Sequence, residues 1–134
     1  MHRPDERSDA RERALYLLYE AHSKGIEPAA TIDLQVVEPD ELTQQLVFGV
    51  GNAVARIDEQ IAAKARGWKL GRMPVLDLNV MRLAVYELLE RPDVPTAVVL
   101  NEAVELAKRF STDDSGRFVN GVLAAVAADV RPST

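Results

Sequence analysis

PDELTQQLVFGVGNAVARIDEQIAAKAR, residues 39–66, is the stretch that decides the fold class. Its apolar residues recur at steps of three or four, and those that form the stripe are Val47, Val50, Val54, Ile57 and Ile61. This spacing is the period of a helix with one buried face. It predicts a helix from about Pro39 to Arg66, with the proline in the first turn and the stripe in the core.

Two glycines interrupt this predicted helix. Gly49 and Gly51 each destabilise a helix by up to about 1 kcal/mol relative to alanine. A sequence tolerates glycine there when another helix approaches too closely to leave room for a side chain. We therefore expect a tight helix crossing at this point.

The same periodicity outlines helices on both sides of this stretch. Upstream, residues 8–24 form a predicted helix with Ser8 as its cap and Gly25 after its last turn, and residues 26–37 form a short helix or an irregular segment. Downstream, helices are predicted over residues 75–90, 96–110 and 115–128, the first preceded by glycines and Pro74 and ended by Pro92 and Pro95. No strand-like alternation competes, so the expected fold is all-α, a compact single-domain bundle of about six to seven helices over residues 1–134.

Composition excludes several classes of protein. The 134 residues contain no cysteine, which excludes disulfides, thiolate zinc sites and cysteine nucleophiles. No stretch resembles a signal peptide or a membrane span, so we expect a cytoplasmic protein without membrane contact. The two histidines, His2 and His22, have no partner at metal-ligand spacing.

Catalytic motifs are also missing from the sequence. There is no glycine-rich phosphate loop and no nucleophile elbow. The acidic pair Asp113 and Asp114, followed by Ser115, is more typical of a helix start than of a catalytic site. We expect no enzymatic activity, catalytic residue, metal or cofactor.

Charge limits how the chain could bind nucleic acid. The formal net charge of −5 excludes a protein that coats nucleic acid by bulk electrostatics. The charges are unevenly distributed, however, because residues 27–41 hold five acids and no base while residues 56–72 hold five bases and two acids. Any RNA binding must therefore be local.

DVPTAVVLNEAVELAKRFSTDDSGRFVNGVL, residues 93–123, strongly resembles the signature of the NusB family. VMRLAVYELL, residues 80–89, and RERALYLLYEA, residues 11–21, resemble the family's preceding helix and its first helix. The similarity covers nearly the whole chain and is weakest over residues 25–41. It implies an all-helical transcription antitermination factor. Such a factor binds the boxA element of nascent ribosomal RNA transcripts together with NusE, a ribosomal protein of the small subunit, in a complex on RNA polymerase.

The resemblance also implies an RNA-facing surface. The residues that match it by position are Arg7, Arg11, Arg82, Asp114, Arg117 and Phe118. Arginine pairs with phosphate, an aromatic ring stacks on a splayed base, and a carboxylate accepts from a base amino group. Acids between the N-terminal arginines cancel their charge, so an ordinary solvated helix start stays open for Arg7 and Arg11. A core position stays open for Phe118.

The same resemblance places a partner surface on the first and fourth helices. Its candidates are Tyr16, Tyr19, Asp77 and Glu87. Acids suit a basic ribosomal protein, and a tyrosine buries its ring at an interface while its hydroxyl keeps a polar contact. Ordinary core positions stay open for the tyrosines. Asn101 and Asn120 lie among apolar residues and are interpreted as buried amides that fix how helices meet.

Two other functions compete with the adaptor. The same fold occurs as the N-terminal region of ribosomal RNA cytosine methyltransferases, so the chain could be a stand-alone module accessory to methylation, which binding of S-adenosylmethionine would support. A protein-binding helical scaffold is the second alternative, and it would bind no RNA even with the partner present. A helical surface that binds a partner can also self-associate, so a homodimer stays open.

Overall fold

The computed structural model describes the backbone of residues 4–132 and the side chains of residues 6–132, so His2 lies outside the described residues. Its helices are α1 (Pro4–Lys24), α2 (Pro28–Asp33), α3 (Glu41–Lys64), α4 (Val75–Glu90), α5 (Thr96–Phe110) and α6 (Asp113–Val130), with one 3-10 turn at Leu70–Arg72 before α4. Residues 4–132 contain no strand, which confirms the all-α prediction. None of the helices described in this range has the length and apolar character needed to span a bilayer.

Helix boundaries follow local capping chemistry. α4 and α5 begin and end where the sequence predicts. α3 is capped by Asp40, whose side chain accepts the Thr43 N–H at 2.7 Å, so the placement of Pro39 in its first turn is wrong. The cap at Ser8 is also wrong, because α1 begins at Pro4 and the Ser8 hydroxyl donates to Glu102 instead. α6 begins two residues before the predicted start, and Thr112 caps it.

Gly25 ends α1 as predicted. Its φ of 65° lies in the left-handed region, and the Ile26 N–H donates to the Ala21 carbonyl at 3.0 Å. This is the hydrogen-bond pattern of a glycine-terminated helix. The uncertain segment that follows forms the short helix α2.

Helix α4 lies at the centre of the bundle, packed against α1, α3, α5 and α6. Such a helix is buried on most of its faces. The predicted stripe of α3 joins this core at four positions, which are Val47, Val50, Ile57 and Ile61. The fifth position, Val54, is about one-third exposed, so its assignment to the core is wrong.

The predicted tight crossing is present at one glycine. A Cβ at Gly49 would lie 2.2 Å from ring atoms of Tyr86 on α4, which leaves no room for a side chain. A Cβ at Gly51 would lie 3.4 Å from its nearest neighbour, the ring of Pro28 on α2, which is an ordinary contact distance. The crossing therefore explains Gly49 and not Gly51.

Arg131, just after α6, holds the end of α4. Its guanidinium donates to the carbonyl oxygens of Glu87, Leu88 and Arg91 at 3.0, 3.0 and 2.7 Å and to the Val94 carbonyl at 2.6 Å. A cation at a helix C-terminus satisfies the last carbonyls and opposes the helix dipole. Arg131 thus fixes the connection between α4 and α5.

Candidate functional site

Arg11 lies inside the protein. Its Nε and Nη2 donate to the two carboxylate oxygens of Glu87, each at 2.8 Å, and Nη1 lies 3.3 Å from Glu102. Arg11 is 5% exposed and Glu87 is 3% exposed. Burial acts to lower the pKa of Arg11, but the hydrogen bond and charge of Glu87 outweigh it, so the pKa is raised above its usual value. The expected placement of Arg11 on an RNA surface and of Glu87 on a partner surface is wrong.

Asp77 is also buried. Its Oδ2 accepts a hydrogen bond from the Ser115 hydroxyl at 2.9 Å, which joins the first turn of α4 to the first turn of α6. The expectation that this carboxylate is an exposed partner contact is wrong, because α6 covers it. Ser115 in turn lies within hydrogen-bond distance of the Ser111 and Thr112 hydroxyls.

Arg82 points toward α3. Its Nε and Nη2 donate to the two carboxylate oxygens of Asp58, each at 2.8 Å, and the side chain is mostly covered. It also lines a hollow of about 140 Å³ together with His22 and Val54. The structure therefore does not bring Arg82 together with the candidate RNA residues of α6. An RNA contact by Arg82 stays a prediction, and it would have to compete with Asp58.

The first turns of α6 bring the other three RNA candidates together. Arg117 has an 82% exposed side chain, and its Nη2 donates to Asp114 at 2.6 Å. Phe118 is partly buried, and its ring lies 5.7 Å from the ring of Trp68 at an angle of 51°. We call Asp114, Arg117, Phe118 and Trp68 the α6 surface. It combines an exposed cation, a carboxylate and two aromatic rings.

Trp68 was not predicted as a site residue. It lies in the connector between α3 and α4 and is 51% exposed. The connector is long and irregular, so periodicity could not place Trp68 beside α6. The available signal was the position of the only tryptophan within the basic stretch of residues 56–72.

The two tyrosines of α1 are exposed, as a partner contact requires. Tyr16 and Tyr19 are 47% and 45% exposed. The rings of Tyr16 and of Phe110 on α5 lie nearly perpendicular with their centres 5.5 Å apart, and the guanidinium of Arg109 lies 5.0 Å from the Phe110 ring centre. An exposed aromatic patch therefore lies where α1 meets α5. Arg7, one turn before Arg11, is partly buried, and its RNA contact stays a prediction.

Asn101 and Asn120 are both exposed, so their interpretation as buried amides is wrong. They line an open groove of about 360 Å³ between α5 and α6 with Lys108 and Arg117. The apolar stripes of these helices take the inner faces and leave the amides outside. Within the described part of the chain, no group of three or more His, Cys, Asp or Glu side chains could hold a metal ion.

The model of the NusB family matches residues 8–128. The chain belongs to the NusB family. Transcription antitermination protein NusB of Streptomyces avermitilis is 45% identical over 136 residues, covering 95% of this chain and 94% of the relative. The NusB protein of Saccharopolyspora erythraea is 50% identical over 127 residues, covering 90% of this chain and 86% of the relative.

Solved structures agree with membership of the NusB family. T. maritima NusB superposes with a TM-score of 0.84 at 32% identity, covering 92% of this chain and 91% of that one. A second match is a chain from a complex of the antitermination factors NusB and NusE with double-stranded RNA. It has a TM-score of 0.75 at 25% identity, covering 92% of this chain and 96% of that one.

Proposed function

We propose that this chain is a transcription antitermination factor that binds boxA-type RNA of nascent ribosomal RNA transcripts together with a NusE-type ribosomal protein. The observation that carries this is the α6 surface, where Arg117, Asp114 and Phe118 lie together on a member of the NusB family. An exposed arginine suits phosphate, and a half-exposed ring such as Trp68, packed against Phe118, suits an unpaired base. The relative that forms a complex with NusE and RNA supports the same proposal.

Binding by the isolated chain is weak in this proposal. Arg11 is buried against Glu87, Arg82 is paired with Asp58, and Arg117 shares its charge with Asp114. Few cations among the candidates are therefore free to replace counterions on RNA. A basic partner beside the RNA would supply the missing positive charge, so affinity becomes a property of the complex.

The partner binds the patch where α1 meets α5. Tyr16 and Tyr19 of α1 offer large exposed rings, and Arg109 of α5 donates a hydrogen bond to Glu12 of α1. Aromatic residues are enriched at protein interfaces because they bury much area with little loss of conformational entropy. Asp77 and Glu87 take no part in this contact, since both are buried.

The chain acts by binding and not by catalysis. The acid–serine arrangement considered in the sequence, Asp113, Asp114 and Ser115, forms the first turn of α6. Ser115 is buried and engaged with Asp77, which leaves its hydroxyl occupied in a structural role.

The test is RNA binding by the chain with a NusE-type partner, measured by fluorescence anisotropy with boxA-type RNA. Arg117→Glu should weaken binding roughly tenfold or more, because it replaces a phosphate contact with repulsion. The matched control is Arg56→Glu, an exposed arginine of α3 that pairs with Glu90 at the far end of α4. If RNA is not bound even with the partner present, the proposal fails and a protein-binding scaffold replaces it.

A further inference from the structure

The connector between α3 and α4 presents two basic groups that the proposed function does not use, beside Trp68 of the α6 surface. Residues 60–76 contain no acid, and Lys69 and Arg72 form no ion pair with any residue in the described part of the chain. Together with Trp68 they line an open hollow of about 300 Å³. Unpaired cations beside an exposed aromatic ring are the combination found where proteins bind single-stranded nucleic acid.

Trp68 also lines a second hollow. This cleft, of about 220 Å³, has walls that include Trp68, Pro74, Phe118 and Asp114, with Asp77 and Ser115 also lining it. The two aromatic rings contact each other, so a base would stack against this pair of rings and not between them. Trp68 is therefore shared by a cationic hollow and an aromatic cleft.

Asp77 gives the cleft a carboxylate with one oxygen that receives no hydrogen bond in the folded protein. Its Oδ2 accepts from Ser115, but its Oδ1 is buried and has no hydrogen-bond partner among the described residues. A buried acceptor without a donor is destabilising, and such atoms are few in folded proteins. An N–H group entering the cleft would supply the donor. Because Oδ1 is itself covered, a base reaches it only if part of the cleft wall moves slightly aside.

We propose that this cleft receives one unpaired RNA base that carries an amino group. The base stacks on the Trp68–Phe118 pair and donates to Asp77, while Lys69 and Arg72 contact the adjoining phosphates. Adenine, cytosine and guanine each offer an exocyclic amino donor, whereas uracil does not. The inference rests on the proposed function and adds to it a base-reading site with its own selectivity.

The experiment uses the complex of the full chain with its NusE-type partner and a panel of boxA-type RNAs. In each RNA one amino-bearing base is replaced by an analogue without the amino group, such as inosine for guanosine or purine riboside for adenosine. With the unmodified protein we expect one position where this change weakens binding roughly tenfold, as for a single base contact.

The variant Asp77→Asn should change base preference and not merely affinity. Its carboxamide oxygen can still accept from Ser115, which turns the amide N–H2 toward the base. At the same RNA position, binding should then favour a carbonyl-bearing base such as uracil. A merely structural role for Asp77 would instead weaken every RNA by a similar factor.

Substitutions at exposed residues should leave the fold intact, so they test RNA binding separately from folding. Trp68→Ala should lower affinity roughly tenfold and abolish the difference between bases at that position, whereas Trp68→Phe keeps most of both. The double change Lys69→Gln and Arg72→Gln should weaken all RNAs and reduce the salt dependence of binding.

The outcomes separate this inference from the proposed function. If the complex binds RNA and Arg117→Glu weakens it, but Trp68→Ala and Asp77→Asn leave affinity and base preference unchanged, the base-reading cleft is overturned alone. If the unmodified complex binds no RNA, the proposed function fails as well.

Discussion

Arg11 on α1 and Glu87 on α4 form a buried ion pair with two hydrogen bonds of 2.8 Å, although 76 residues separate them in the sequence. Glu102 on α5 joins the same pair. Three helices are thereby fixed to one another by charge inside the bundle. Arg11 thus lies on the buried side of α1, whereas Tyr16 and Tyr19 are exposed.

Removing one partner of this pair should strongly destabilise the fold. Arg11→Met leaves the Glu87 carboxylate buried without its cation, and we expect the free energy of unfolding to fall by about 3–5 kcal/mol. The double variant Arg11→Met with Glu87→Leu should recover much of that loss, because it removes both buried charges. Urea denaturation measures both values.

The matched control is Arg109→Met, which removes an exposed arginine paired with Glu12 of α1. A solvent-exposed pair contributes about 0–1 kcal/mol. If Arg11→Met costs no more than Arg109→Met, the buried pair does not hold the helices together.

The two glycines of α3 should respond in opposite directions to alanine. Gly49→Ala places a methyl group against the Tyr86 ring and should destabilise by about 1–3 kcal/mol. Gly51→Ala meets only ordinary contact with Pro28 and gains helix propensity, so it should stabilise by about 0.5–1 kcal/mol. Thermal unfolding of both variants decides this, and equal shifts would contradict the close approach of α4.

Arg131 should contribute to stability although it follows the last helix. Arg131→Ala leaves the final carbonyls of α4 without their charged donor and should cost about 1.5–3 kcal/mol. Arg117→Ala, at the exposed start of α6, serves as control and should cost less than about 1 kcal/mol. A neutral result for Arg131→Ala in the same denaturation experiment would show that the end of α4 is held by packing alone.

The helices were predictable because their signals are local. Prolines before α4 and α5 and a three-to-four apolar spacing lie within one segment, and both helices have the predicted bounds. Asp77 and Glu87 were placed wrongly because α4 is covered by four neighbours, which a single-helix pattern does not reveal. A charged residue normally lies on a solvated face. That Asp77 and Glu87 are buried is evident only from their partners on other helices.

The candidate site was predicted in part for the same reason. Asp114, Arg117 and Phe118 lie within two turns of α6, so motif position was enough to group them. Arg82 and Trp68 depend on how α3, α4 and the connector pack, and no local spacing encodes that. The sequence therefore grouped Arg82 with α6 and missed Trp68.

The exposed tyrosines should decide partner affinity. Tyr16→Ala and Tyr19→Ala should each weaken binding of the NusE-type protein about tenfold or more in the absence of RNA, because interface aromatics carry much of the binding energy. Phe48→Ala is the control, since it removes a comparably exposed ring from α3. Calorimetric titration gives the affinities. An effect of Phe48→Ala equal to that of both tyrosine variants would place the partner elsewhere.

Cooperation between partner and RNA is the most direct test of the proposed mechanism. The measurement is the affinity of boxA-type RNA for this chain with and without the NusE-type protein, at fixed salt, together with partner affinity with and without RNA. We expect weak RNA binding by the chain alone, a marked increase with the partner, and the same factor of tightening for the partner when RNA is present, as linkage requires. Tight RNA binding by the chain alone, unchanged by the partner and by Arg117→Glu, would contradict the shared binding proposed for this protein.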